Sequence, residues 1–144
     1  MQKQYQQQDF LNESWWRFNR RRLDSEALRD AMLAVSGRLN PKMGGPSFYP
    51  RMSKEALEGL SRKSNAWGTS SLSERSRRSI YMMTKRSRLL PLMTTFDFTD
   101  TTLPCGQRDV TTVPSQALYL MNDPFVLRAA DNMARRIFEE ASSI

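Results

Sequence analysis

The apolar residues of this chain recur at helical spacing over two stretches, and the sequence between them is cut by residues that regular elements tolerate poorly. From residue 123, Asp-Pro opens a run in which Val126, Ala130, Met133 and Ile137 lie at i, i+4, i+7 and i+11, while Arg128, Asp131, Arg135, Glu139 and Glu140 face away. Asp123 is placed to cap this helix, and Pro124 stands at its first position, where a missing N–H is no loss. The earlier stretch predicts a helix from about Ser14 to Leu39, interrupted around Arg22–Asp24. Leu23, Ala27, Ala31 and Ala34 form its stripe, widened by Leu28, Met32, Val35 and Leu39, with Asp24 or Ser25 as a cap. Gly37 and Pro41 supply the stop. Between the two lie 40–50, with three prolines and the pair Gly44-Gly45, and the polar, turn-rich 61–76. With 144 residues there is room for one domain. The expected fold is mainly α: a helical domain with one or two short β-strands and long irregular loops.

The remaining segments fill in that outline. Residues 1–11 read as a disordered, Gln-rich lead-in, and 12–141 as a single domain with a loop-rich insert at 40–76. Ser53 can cap a short helix to Leu60. Ser79–Lys85 reads as a strand whose partner is either a loop segment or something outside the chain. Pro91–Phe96 fits one helical turn, 99–110 a loop, and Thr111 or Thr112 the cap of a helix that has Pro114 in its first turn and runs to about Met121.

Charge and residue inventory narrow the chemistry. Lys and Arg number 22 against 15 Asp and Glu, a net charge of +7, which favours anionic partners. Arginine dominates the clusters, and its planar fork suits carboxylate, phosphate or sulfate. Arg20, Arg21, Arg22, Arg77 and Arg78 are the candidate anion-binding residues, with an anionic polymer as a possible partner; the alternative is that such arginines pair with Asp24, Glu26, Asp30, Glu74 and Asp97. The absence of histidine excludes a Cys-His nucleophile and a Cys-x-x-Cys-His haem attachment within this chain. One cysteine excludes an internal disulfide, and no 18-residue apolar run is present to span a membrane. The polar residues Asp97, Cys105, Arg108, Asp109, Thr111, Thr112 and Gln116 form a candidate cluster. Within it Asp97, Asp109 and Arg108 allow a hydrolytic or glycan-active reading, and a basic nucleic-acid-binding domain is a third class.

Several stretches, in order, resemble a bacterial family abundant in planctomycetes, the domain of unknown function numbered fifteen fifty-three. They are residues 16–30 (Trp-Arg-Phe-Asn-Arg-Arg-Arg-Leu-Asp-Ser-Glu-Ala-Leu-Arg-Asp), 35–47 (Val-Ser-Gly-Arg-Leu-Asn-Pro-Lys-Met-Gly-Gly-Pro-Ser), Trp67-Gly68, 77–81 (Arg-Arg-Ser-Ile-Tyr), Phe96-Asp97-Phe98, 111–118 (Thr-Thr-Val-Pro-Ser-Gln-Ala-Leu), Asn122 and 124–126 (Pro-Phe-Val). The similarity covers roughly residues 12 to 138. The resemblance implies the C-terminal part of an exported, cell-envelope protein with an upstream cytochrome-c-like module. Haem is then expected only on that upstream module, with no cofactor or metal in this chain. The implied role is an accessory or interaction domain whose partners are the upstream modules. The chain shows no signal peptide of its own.

Two features lead to the expectation of a fragment. The similarity begins beside large aromatics, Trp15, Trp16 and Phe18, and the strand at Ser79–Lys85 lacks a visible partner. An exposed apolar patch at those aromatics is therefore expected.

Overall fold

Turn residues divide the chain into short helices tied by long loops. The computed structural model describes residues 2–19, 21–53, 57, 67–86 and 88–142. Among them are six α-helices: α1 (Gln2–Gln8), α2 (Ser25–Val35), α3 (Leu72–Arg75), α4 (Pro91–Thr95), α5 (Pro114–Asn122) and α6 (Pro124–Ser142). Three isolated bridges are the β content of these residues, so the fold is mainly α. The helix expected at Ser53–Leu60 and the turn-rich 61–66 fall almost wholly outside the described residues.

The corner between α5 and α6 follows from Asp123. One carboxylate oxygen accepts the N–H groups of Phe125 at 2.8 Å and Val126 at 3.2 Å, which caps α6 as its Asp-Pro start predicts. The other oxygen accepts the Tyr119 hydroxyl at 2.7 Å, so the cap also fastens the end of α5. Burial, reinforced by this carboxylate, holds the Tyr119 phenol well above its ordinary pKa. The face of α6 that meets the body differs from the expected stripe. Phe125, Ala129 and Asn132 turn inward, while Met133 and Ile137 stay exposed about 100° further round the helix. The docking of α2 decides this, because Arg136 Nη1 donates to the Val35 carbonyl at 3.3 Å.

Helix α2 starts at Ser25, eleven residues later than its predicted beginning at Ser14. Its buried face is Ser25, Arg29 and Leu33 rather than the alanine stripe: Leu23, Ala27 and Ala34 are exposed. Alanines add little buried area, and the contacts of Arg29 fix the rotation of the helix instead. Asp24 stands at the cap position without a side-chain cap bond. The helix ends at Val35, four residues before the expected Leu39, and the chain leaves it through Gly37, whose φ of +68° a side chain would resist. The Arg38 N–H then reaches the Leu33 carbonyl at 2.8 Å, and the Gly37 N–H reaches that of Ala34 at 3.0 Å.

Upstream of α2 a compact loop replaces the expected helix. Asn12 is buried and bridges it, donating to the Arg17 carbonyl at 2.8 Å and accepting the Arg17 N–H at 3.1 Å. Asp9 accepts the N–H groups of Glu13 and Ser14, and its carbonyl accepts the Trp16 indole N–H at 2.9 Å. The lead-in expected to be disordered is helix α1, since glutamine carries little helical penalty and Tyr5 stacks on Trp16 with ring centres 6.2 Å apart.

The expected strand at Ser79–Lys85 is a 3-10 turn at Ser79–Tyr81 followed by extended backbone. Its partner is the 40–50 loop: the Phe48 N–H donates to the Tyr81 carbonyl at 2.9 Å, and the Met83 N–H to that of Phe48 at 2.8 Å. Just before it, Ser71 caps α3 by accepting the Glu74 N–H at 3.2 Å, where the sequence suggests only loop.

Two buried arginines hold these loops to α2. Arg29 Nη1 donates to the Arg77 carbonyl at 3.0 Å and the Ser79 hydroxyl at 3.1 Å, while Nη2 donates to the Arg75 carbonyl at 2.5 Å. The rings of Phe48 and Phe125 flank its guanidinium at 5.3 and 5.7 Å. Burial lowers its pKa to about 10, so the charge persists throughout the physiological range. Arg77 is fully buried; it donates to the carbonyls of Gly44, Pro46 and Lys42 and to the Glu74 carboxylate, and lies 4.1 Å over Tyr81. A separate apolar centre of Leu92, Met93 and Phe96 packs with Leu28, Met82 and Phe98.

Arg29→Met leaves the Arg75 and Arg77 carbonyls without that donor and is expected to lower stability by about 3 kcal/mol or more, read as a fall in the urea midpoint. Asp123→Ala should cost about 1 kcal/mol by the same measurement; an unshifted midpoint would count against the cap.

Candidate functional site

Phe96-Asp97-Phe98 ends α4 in a way that explains all three residues. Phe96 is buried in the apolar centre, and Phe98 packs against that centre while its N–H reaches the Met93 carbonyl at 2.9 Å. That closure requires a left-handed residue between them, and Asp97 takes it with φ +57°. Aspartate tolerates this conformation better than most side chains. Its carboxylate accepts the Thr111 N–H at 2.8 Å, the Thr111 hydroxyl at 2.9 Å and Arg22 Nη2 at 2.6 Å. Gln116, buried at the start of α5, donates to the Thr111 hydroxyl oxygen at 3.2 Å and the Thr95 carbonyl at 3.1 Å. Three members of the expected polar cluster, Asp97, Thr111 and Gln116, therefore meet, and Arg22 joins them. The Thr111 N–H, then its hydroxyl and Arg22, hold the Asp97 carboxyl below the usual carboxylate range.

The other candidates lie apart from that network. Arg108 pairs with Glu26 of α2 at 2.8 Å and lies 5.1 Å from the Phe98 ring centre. Cys105 is exposed, with its thiol bonded to the Gln107 carbonyl at 3.1 Å, and Asp109 and Thr112 are also exposed. Of the candidate anion-binding arginines, Arg20 lies outside the described residues. Arg21 is exposed, Arg22 is engaged with Asp97, and Arg77 has its donors committed internally. Arg78 is exposed and sits 3.7 Å from Asp30. Among the described residues no three His, Cys, Asp or Glu side chains gather to hold a metal ion, and no helix is long and apolar enough to cross a membrane.

A different set of arginines lines a cleft elsewhere in the molecule. This cleft, about 940 Å³, lies between α2, α4 and the α5–α6 corner on one side and the 50–53 and 72–76 segments on the other. Arg29, Arg38, Arg51, Arg75, Arg128 and Arg135 border it, against two acids, Asp123 and Asp131. Asp131 pairs with Arg135 at 3.1 Å, and Asp123 is engaged by Tyr119 and the α6 cap. Arg38, Arg51, Arg75 and Arg128 form no ion pair among the described residues. Leu33, Leu90, Leu92, Phe125 and Ala129 supply its apolar wall. Sequence reading finds Arg128 and Arg135 only as the outer face of α6. Their spacing of seven residues puts both on one side, but the convergence of Arg38, Arg51 and Arg75 depends on tertiary folding.

Asp97 gives this region a pH signature. Its folded carboxyl titrates below the unfolded value of about 3.9, so below that value the unfolded chain binds more protons and stability falls as pH drops through the folded pKa. Asp97→Asn keeps a side chain suited to positive φ but removes the charge. It should cost about 1–2 kcal/mol at pH 7 and flatten the acid limb of a stability-against-pH curve, measured by urea denaturation. An acid limb as steep as the parent's would exclude Asp97 as its source.

Neither a curated protein nor a solved structure matches the chain. A family model does match, and over residues 1–144, so it takes in the glutamine-rich helix α1 together with the Phe96-Asp97-Phe98 and Thr111–Gln116 elements just described. The chain belongs to the family described as PSD1, protein of unknown function (DUF1553).

Proposed function

We propose that this chain is a non-catalytic accessory domain that binds other modules of an exported, cytochrome-c-associated planctomycete protein. The observation that carries this reading is the 9–19 loop. Trp15 is 80% exposed and Phe18 90% exposed, with Phe10 and Leu11 also open, on a loop that buried Asn12 braces internally. Trp15 has φ +55°, a conformation costing roughly 1–2 kcal/mol for a residue of this kind. Backbone strain retained under an outward-facing indole is characteristic of a surface shaped for contact. Trp16, by contrast, is half-buried between Tyr5 and Arg17 and forms part of the support.

The hydrolytic alternative draws no comparable support. Asp97 and Arg108 are engaged with different partners, Thr111 with Arg22 in one case and Glu26 in the other, while Asp109 stands exposed. The nucleic-acid alternative calls for a continuous basic stripe, whereas four arginines without an ion pair among the described residues, Arg38, Arg51, Arg75 and Arg128, gather in a cleft.

The test is binding in trans. The haem-bearing upstream region of a family member, immobilised, should capture this chain, and Trp15→Ser with Phe18→Ser should weaken capture at least tenfold while leaving the urea midpoint unchanged. Capture indifferent to both substitutions, no capture at all, or turnover of glycan substrates by the isolated chain would overturn the reading.

A further inference from the structure

We infer that the arginine-lined cleft is a docking site for an acidic polypeptide segment that also carries large apolar side chains. The inference rests on the interaction-domain reading but uses a surface separate from Trp15 and Phe18. Its first support is charge. Among the described residues six arginines and no lysine border the cleft, and both facing aspartates are already engaged. The four arginines without ion pairs offer planar forks to incoming carboxylates. Arg75 Nε is buried with no hydrogen-bond partner, a donor that an arriving acceptor would satisfy. The second support is the wall beneath the charges. Met52, Leu72, Leu90 and Phe125, all at least partly exposed, present apolar surface that a simple anion or a sulfated sugar would leave uncovered. A volume of about 940 Å³ also exceeds what a single phosphate or carboxylate needs. Acidic groups reaching the rim while leucine-like side chains enter the hollow would match both layers.

Arginine rims are felt at a distance, so the association should be fast and sensitive to salt. The experiment is fluorescence anisotropy with the full chain and labelled peptides of alternating Glu and Leu, with Gln-Leu and Glu-Ser peptides of equal length as controls. The Glu-Leu peptide should bind at least tenfold more tightly than either control, and its affinity should fall about tenfold between ~50 and ~300 mM salt. Arg51→Gln with Arg128→Gln, two exposed side chains outside the folding contacts, should weaken it about tenfold at an unchanged urea midpoint. Trp15→Ser with Phe18→Ser should leave peptide binding intact, which separates this inference from the module-binding reading. Equal binding of Glu-Ser and Glu-Leu, preference for heparin over the peptide, competition by millimolar inorganic phosphate, or indifference to the arginine pair would each overturn the proposal.

Discussion

A guanidinium can be taken out of water only where its N–H groups find acceptors and its faces find something polarisable, and Arg29 meets both conditions. Its donors reach the main-chain carbonyls of Arg75 and Arg77 and the Ser79 hydroxyl, and aromatic rings flank it. The acceptors are mostly backbone, so the interaction constrains chain path rather than side-chain choice. Arg77 repeats the arrangement one step outward, donating to the carbonyls of the 42–46 loop while its own carbonyl serves Arg29. Two segments with few apolar residues are thereby fixed to α2. The apolar centre around Leu92, Met93 and Phe96 holds the other half of the molecule. Phe48 connects the two, lying over Arg29 and pairing its backbone with Tyr81 and Met83.

What could be read from sequence follows the same division. Features governed by local chemistry were legible: the Asp123 cap before Pro124, the Gly37 stop, the short helix at Pro91, and Pro114 opening α5. Features governed by a distant partner were not. Ser79–Lys85 has a strand's composition, but Arg77 and Ser79 must turn toward Arg29 and Asp30, and this winds the backbone into a 3-10 turn. The rotation of α2 is not legible in the sequence, because an arginine at the centre of a buried face breaks the rule that apolar periodicity marks the inside. For the same reason Arg77 looked like a surface anion ligand, although it is among the most buried residues of the fold.

The candidate site was legible in part. Phe96-Asp97-Phe98 and Thr111–Gln116 stand out as motifs, and Asp97, Thr111 and Gln116 do converge. Their geometry explains the motif as closure: a left-handed residue ends α4, its carboxylate holds the start of the next segment, and Phe98 seals the turn. The cleft could not be read in this way. Its arginines come from four separated stretches, and none is distinguished from its neighbours until α2 and α6 are set against the 72–76 segment.

Arg29 joins the two themes, because it is at once the central tie of the fold and part of the cleft lining. An arginine free to move would lose rotamer entropy on meeting a ligand, whereas this one is already immobilised by its internal hydrogen bonds. Its positive charge therefore contributes a fixed potential to the cleft floor without competing for a ligand's acceptors. Arg38, Arg51 and Arg128 at the rim retain their donors for such contacts among the described residues. The division is between a buried arginine that sets the field and exposed arginines that can make the bonds. Both depend on the backbone of residues 75–79 being held where Arg29 holds it.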